Sequence, residues 1–261
     1  MCFDLDSRPP IVPIAGGALD SGELTLTADD GTRFSAFSAR AADPTNAAAV
    51  ILPDVRGLHP YYEDLALRFA ENGVDAVAID YFARTAGLGR RDAAFEFMPH
   101  VGRTTFEDLS ADLRAAVAYL RSEEGGGATR IFTVGFCFGG RLSFVAGTLG
   151  LDLAGVIGFY GVPVGPGRND VPAPADVAEG IASPVLGLFG AADEGIPAAA
   201  IATFEAALAS AGVEHRLIAY PGAPHSFFDR KADEYVRSSE AAWEEVLAFV
   251  GAPAPDPAPA R

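Results

Sequence analysis

The sequence predicts an α/β protein: a mostly parallel, doubly wound sheet with helices on both faces and an antiparallel hairpin at its N-terminal end. Three observations carry that reading. Segments 23–28 and 33–39 alternate polar and apolar residues at period two around Asp29-Asp30-Gly31, residue types suited to a tight turn. A continuous apolar run follows at 47–53, as expected of a strand covered on both faces, and residues 74–80 read as a second buried strand. Longer segments of helical spacing separate such runs, and this alternation implies βαβ units.

The elements follow in order. Residues 1–22 are rich in Pro and Gly and read as an arm. After the strand at 47–53, a helix is expected over 61–73, ending at Gly73. The strand at 74–80 leads into an Arg- and Gly-rich loop, 81–103. A long amphipathic helix covers 104–124 and stops at the glycine triplet 125–127. A strand at 130–136 runs into a helix at 139–150, and another strand occupies 154–161. Residues 162–183 are Pro-rich and read as irregular. Then come a strand at 184–190, a helix at 197–212, an alternating edge strand at 214–222 and a final helix at 233–250. One domain is expected over 23–250. The Pro/Ala stretch 251–261 has too little apolar bulk to pack and reads as a disordered tail.

The totals narrow the function. The chain has 261 residues, 49% of them hydrophobic and 21% charged, which suits one large domain with a sizeable core. The formal net charge of −16 repels phosphate backbones and anionic lipid, so nucleic acid and membrane surfaces are not expected partners. No apolar run approaches the roughly 18 residues of a membrane span. The start, MCFDLDSRPP, lacks the apolar stretch of a signal peptide, so a cytoplasmic location is expected. Neither the two cysteines, Cys2 and Cys137, nor the four separated histidines have disulfide-framework or metal spacing.

The sharpest motif is Gly135-Phe136-Cys137-Phe138-Gly139-Gly140, where a buried strand passes into a helix. This is the nucleophile-elbow pattern with Cys in place of Ser. The turn is so tight that the residues two places either side of the nucleophile must be small. It lifts the sulfur above the sheet edge and aims the Phe138 amide at a developing oxyanion. The helix N-terminus favours a thiolate. A buried, inert cysteine is the competing reading. A nucleotide-binding turn is another, but the glycines do not match G-x-G-x-x-G and no P-loop lysine follows.

The rest of the constellation favours catalysis. The elbow fold orders its triad as nucleophile, acid, histidine. Asp193 follows the strand at 184–190, and His225 follows the next strand. All three positions fall on loops at one edge of the sheet, where open α/β folds bind ligands. A carboxylate on the second ring nitrogen fixes the histidine tautomer and stabilises the imidazolium. Glu194 is the adjacent alternative acid. His59 is a candidate site-wall residue. His215 lies on an edge strand, expected to be solvated, and His100 sits in the long loop with no evident partner.

These residues together resemble the dienelactone hydrolase family across roughly 23–250. The resemblance rests on the elbow at 135–140, Phe-Gly-Ala-Ala-Asp at 189–193, Pro-His-Ser-Phe-Phe at 224–228, Asp-Tyr-Phe-Ala-Arg at 80–84, and Ala242-Trp243 in the last helix. It implies the α/β-hydrolase fold and cofactor-independent hydrolysis of carboxylic esters or enol-lactones by Cys137, His225 and Asp193. It also implies that Asp54, where the family usually has Glu, bonds the resting thiol. By the same resemblance the Val55 amide completes the oxyanion hole, and Arg84 binds a substrate carboxylate. A second family arginine falls at Asp229, with Arg230 one step on. Competing readings are loop hydrogen bonding for Asp54 and an ion pair for Arg84. At the level of the whole protein they are a non-catalytic binding protein of the same fold, and a thiol acyltransferase or redox protein. The expected partner is a small-molecule ester or lactone, taken by a monomer or small homo-oligomer.

Overall fold

A computed structural model describes residues 7–228 and 234–251. The chain forms an eight-stranded sheet ordered β1-β2-β4-β3-β5-β6-β7-β8. Strands β1 (Ala18–Thr27) and β2 (Arg33–Ala41) make the antiparallel hairpin. Strand β2 then pairs antiparallel with β4 (Val74–Ile79). The remaining pairs, through β3 (Ala47–Leu52), β5 (Arg130–Phe136), β6 (Gly155–Phe159), β7 (Val185–Gly190) and β8 (His215–Tyr220), are all parallel. Every residue of β3 and of β4 is buried; β3 is a continuous apolar run, and β4 carries one polar residue, Asp75, whose carboxylate accepts from the Ala41 amide at 2.8 Å.

The first strand begins at Ala18, inside the segment read as an arm. Its outer residues are mostly exposed, and Ala18 and Asp20 are separated by a register irregularity, so period-two alternation is lost there. The loop 81–103 contains two single-turn helices, α2 (Ala83–Ala86) and α3 (Met98–Val101). The Pro-rich stretch contains a 3₁₀ segment, Pro174–Gly180.

The longer helices start and stop on local chemistry. Helix α1 (Pro60–Glu71) begins with proline, whose missing N–H is an orphan at that position anyway, and stops where Gly73 turns to φ 79°. Helix α4 (Phe106–Arg121) is capped by the Thr105 hydroxyl, which accepts from the Asp108 amide at 3.1 Å. Helices α5 (Phe138–Ala146), α6 (Ala198–Ser210) and α7 (Val236–Val250) complete the layers. No helix among the described residues is long and apolar enough to cross a membrane.

The topology locates a crevice. Strand β3 lies between β4 and β5, and the direction of winding reverses there, so connections leave opposite faces. Leu52 pairs with Gly135 in the ladder. The segments carrying Asp54 and Val55 on one strand and Cys137 on the other therefore leave the sheet at the same level.

Candidate active site

Cys137 stands between β5 and α5 with φ 54° and ψ −107°, a conformation that non-glycine residues adopt only under constraint. The constraints are visible in its neighbours. A Cβ on Gly135 would lie 1.9 Å from the Gly139 carbonyl oxygen, and a Cβ on Gly139 would lie 2.1 Å from that of Leu52. Gly140 packs against the backbone of Phe159 and Gly161 with no room for a Cβ. The Cys137 amide donates to Phe159 O at 3.0 Å, and the Arg141 amide donates to Cys137 O at 3.2 Å. The sulfur-bearing side chain is partly exposed.

Asp193 and His225 meet across two loops. His225 Nδ1 lies 2.6 Å from Asp193 Oδ2, while Asp193 Oδ1 accepts from the Gly195 amide at 2.9 Å. Asp193 is buried and His225 is half-exposed. The two loops are stitched by backbone bonds, Ala192 N to Ala223 O at 2.9 Å and Ala191 N to Tyr220 O at 2.9 Å. Gly190 makes the approach possible: its missing Cβ would lie 2.3 Å from Ala223 O. The Tyr160 ring flanks the imidazole, with centroids 4.9 Å apart. Glu194, the alternative acid, is exposed.

The 54–58 turn faces this arrangement from β3. Asp54 is fully buried. Its carboxylate accepts from the Arg56 amide at 2.8 Å and from Arg56 Nη2 at 3.3 Å, and its own amide donates to the Tyr62 hydroxyl at 2.9 Å. The Tyr61 hydroxyl donates to Phe228 O at 2.7 Å, tying α1 to the segment after His225. Tyr81 donates to Pro53 O at 2.9 Å. Burial holds its phenol well above the usual range, and the neighbouring Asp54, Asp80 and Cys137 push in the same direction. His59 is buried at the start of α1, its ring 4.9 Å from that of Tyr62, and burial together with the Arg56 charge lowers its pKa to about 3.

Arg84 takes part in a different cluster. Its Nη1 bonds both carboxylate oxygens of Asp112, at 2.7 and 2.8 Å, its Nη2 bonds Asp30 at 2.9 Å, and its Nε pairs with Asp108 at 3.2 Å. All three guanidinium nitrogens thus face protein carboxylates, from the β1–β2 turn and from α4. Arg230 and Asp229 lie outside the described residues.

Of the other histidines, His100 does have partners: its Nδ1 is 2.9 Å from Thr85 Oγ1, and its ring stacks on Phe95. His215 is half-buried rather than solvated, with Nδ1 2.7 Å from Val213 O. No group of three or more His, Cys, Asp or Glu among the described residues is placed to hold a metal ion. Sequence reasoning missed Tyr61, Tyr62 and Tyr81, whose hydroxyls brace the site backbone. Their only signal was a pair of tyrosines in the first turn of α1 and a tyrosine just past the end of β4. It also missed Arg141, a buried guanidinium that donates to the carbonyls of Gly165, Val171 and Pro172 and so fixes the Pro-rich stretch against α5.

This sheet order, with a strained elbow after β5, an acid after β7 and a histidine after β8, defines an α/β-hydrolase. The sequence model of the dienelactone hydrolase family matches residues 34–253, and the chain belongs to that family, as a hydrolase. It is 29% identical to the Putative carboxymethylenebutenolidase of Salmonella typhimurium over 92% of this chain and 90% of that protein. It is 30% identical to the protein of the same name from Methylorubrum extorquens, over 80% of this chain and 72% of that one. The crystal structure of the Putative Dienelactone Hydrolase from Klebsiella pneumoniae superposes with a TM-score of 0.79 at 27% identity, covering 89% of this chain and 98% of that one.

Proposed function

We propose that the protein hydrolyses uncharged carboxylic esters or lactones through an acyl-thioester on Cys137, with His225 and Asp193 completing the triad. The observation that carries this reading is the 2.6 Å contact between His225 Nδ1 and Asp193 Oδ2, on the same sheet edge as the strained Cys137. The carboxylate fixes the proton on Nδ1, which leaves the lone pair on Nε2 for the thiol proton. The thiolate attacks the ester carbonyl, and the Val55 and Phe138 amides bind the oxyanion. Collapse expels the alkoxide, which takes the proton from His225. Water then attacks the thioester with His225 as base, and the acid leaves as Cys137 is regenerated.

The preference for uncharged substrates rests on Arg84. A guanidinium already shared among Asp30, Asp108 and Asp112 has no remaining positive field to offer a substrate carboxylate. In this reading Arg84 clasps the hairpin turn and α2 to α4, and Asp54 orders the oxyanion turn through Arg56. The test is a paired assay of p-nitrophenyl acetate and a carboxylate-bearing enol-lactone, with wild type, Cys137→Ala and iodoacetamide-treated enzyme. Loss of both activities without the thiol, and faster hydrolysis of the neutral ester, are expected. Activity that survives in Cys137→Ala contradicts the mechanism, and a strong preference for the anion contradicts the substrate class.

A further inference from the structure

Asp80, at the end of β4, is fully buried and joins three segments. Its Oδ1 accepts from the Leu58 amide at 3.3 Å and from Arg91 Nε at 3.1 Å. Its Oδ2 accepts from the Phe82 amide at 2.9 Å and from Arg91 Nη2 at 2.7 Å. Arg91 is 6% exposed; its own amide donates to Leu58 O at 3.2 Å, and its Nη2 also donates to Gly87 O at 2.8 Å. Both backbone polar groups of Leu58 are thus held by this pair, one through Asp80 and one through Arg91.

Leu58 ends the turn that carries Val55. Within that turn Gly57 donates to Asp54 O at 3.1 Å and adopts φ +78°. A Cβ on Gly57 would lie 2.6 Å from Asp80 Oδ1, so the turn is seated directly on the carboxylate. Replacing a buried ion pair by apolar groups is often neutral or stabilising, so fold stability alone is a weak account of this pair. A fork bonded in two places, with two amides on the same carboxylate, does fix position closely. An oxyanion donor acts only if held to within about 0.5 Å of its productive place.

We propose that the Asp80–Arg91 pair is a positioning device for the oxyanion turn, holding the Val55 amide in line with the carbonyl that Cys137 attacks. The inference rests on the triad reading above. It separates two reactions of the same sulfur. Ester hydrolysis forms an oxyanion in both acylation and deacylation. Alkylation by iodoacetamide forms a C–S bond as iodide leaves with the C–I electron pair, and no oxyanion arises.

The experiment replaces the pair by neutral side chains of similar reach, Asp80→Asn with Arg91→Gln. In one preparation it measures kcat and KM for p-nitrophenyl acetate and the rate of Cys137 alkylation. Removing one oxyanion donor outright costs about 10²–10³ in kcat, so a displaced donor should cost roughly tenfold to a hundredfold. KM and the alkylation rate should each stay within about threefold. Arg91→Lys keeps the buried carboxylate compensated but loses the fork. It reads the same split at a smaller size, and decides the matter if the double variant does not fold. An unchanged kcat, or an alkylation rate that falls in step with kcat, overturns the proposal. Wild type and Cys137→Ala are run alongside. Activity in Cys137→Ala brings down the triad reading itself, whereas Cys137-dependent hydrolysis with kcat intact in the pair variants brings down only the positioning role.

Discussion

His225 and Asp193, 32 residues apart in sequence, meet at 2.6 Å because Gly190 lets the histidine loop close onto the end of β7. In the proposed mechanism a carboxylate so placed selects one imidazole tautomer and stabilises the imidazolium once the thiol proton has moved. Asp193→Asn keeps the shape but offers an amide in place of an anion. We expect kcat for ester hydrolysis to fall roughly 10²- to 10⁴-fold with KM little changed. Glu194→Gln, beside it and exposed, should stay within about twofold of wild type. The reverse order of effects in steady-state kinetics would make Glu194 the acid.

Arg84→Ala should act on stability more than on substrate choice. Its removal leaves Asp112, only 1% exposed at its side chain, without its cation. Burial raises the Asp112 pKa to about 7 even beside Arg84, so without the cation the carboxyl takes up a proton, and the loss is about 1–3 kcal/mol. Denaturant titration should show that loss. The ratio of kcat/KM for neutral and anionic substrates should hold within about twofold. A KM that rises for the anionic substrate alone would return Arg84 to the role of substrate ligand.

The elbow glycines give a steric prediction. Alanine at 135 or 139 places a Cβ about 2 Å from backbone oxygen, 1.9 Å from Gly139 O in the first case and 2.1 Å from Leu52 O in the second. Neither backbone has a flexible end to yield. Both variants should lose several kcal/mol of stability and nearly all activity. Gly22→Ala, where a Cβ meets nothing, is the control on the same sheet. Near-normal melting of Gly139→Ala would mean that the turn is looser than its geometry indicates.

His59 links stability to pH. Its folded pKa, lowered to about 3 by burial and by Arg56, lies below the ordinary value of 6.5. The unfolded chain therefore binds the proton more readily. The stability from keeping this ring neutral is present above about pH 6.5 and is lost as pH falls from there toward about 3. Each pH unit in that window costs up to about 1.4 kcal/mol. His59→Gln should flatten that slope in melts taken at pH 5, 6 and 7. Parallel pH profiles for wild type and variant would show that His59 gains its proton without penalty in the folded protein.

What was legible in the sequence is what sterics or periodicity enforces. Cys137, with small residues at 135, 139 and 140, announces its turn because no other residue types fit. The buried strand β3 announces itself by having no polar residue, and β4 by having a single one, Asp75. The first half of β1 is not legible, because residues 18–22 lie on an exposed edge where nothing selects alternation. The partners of Arg84 were not legible, since Asp30 and Asp112 lie 54 and 28 residues away on other elements. Arg91 looked like one more charge in an arginine-rich loop. Its burial and its two-pronged contact with buried Asp80 set it apart from Arg90, which is exposed.

Mass spectrometry of the acid-quenched steady state tests the central claim most directly. With p-nitrophenyl acetate as substrate, the peptide that contains Cys137 should carry one acetyl group during turnover. It should lose that group once the ester is spent, and the Cys137→Ala peptide should never carry it. Steady hydrolysis with an unmodified Cys137 peptide, or with the acetyl group on another residue, would contradict the covalent cysteine mechanism.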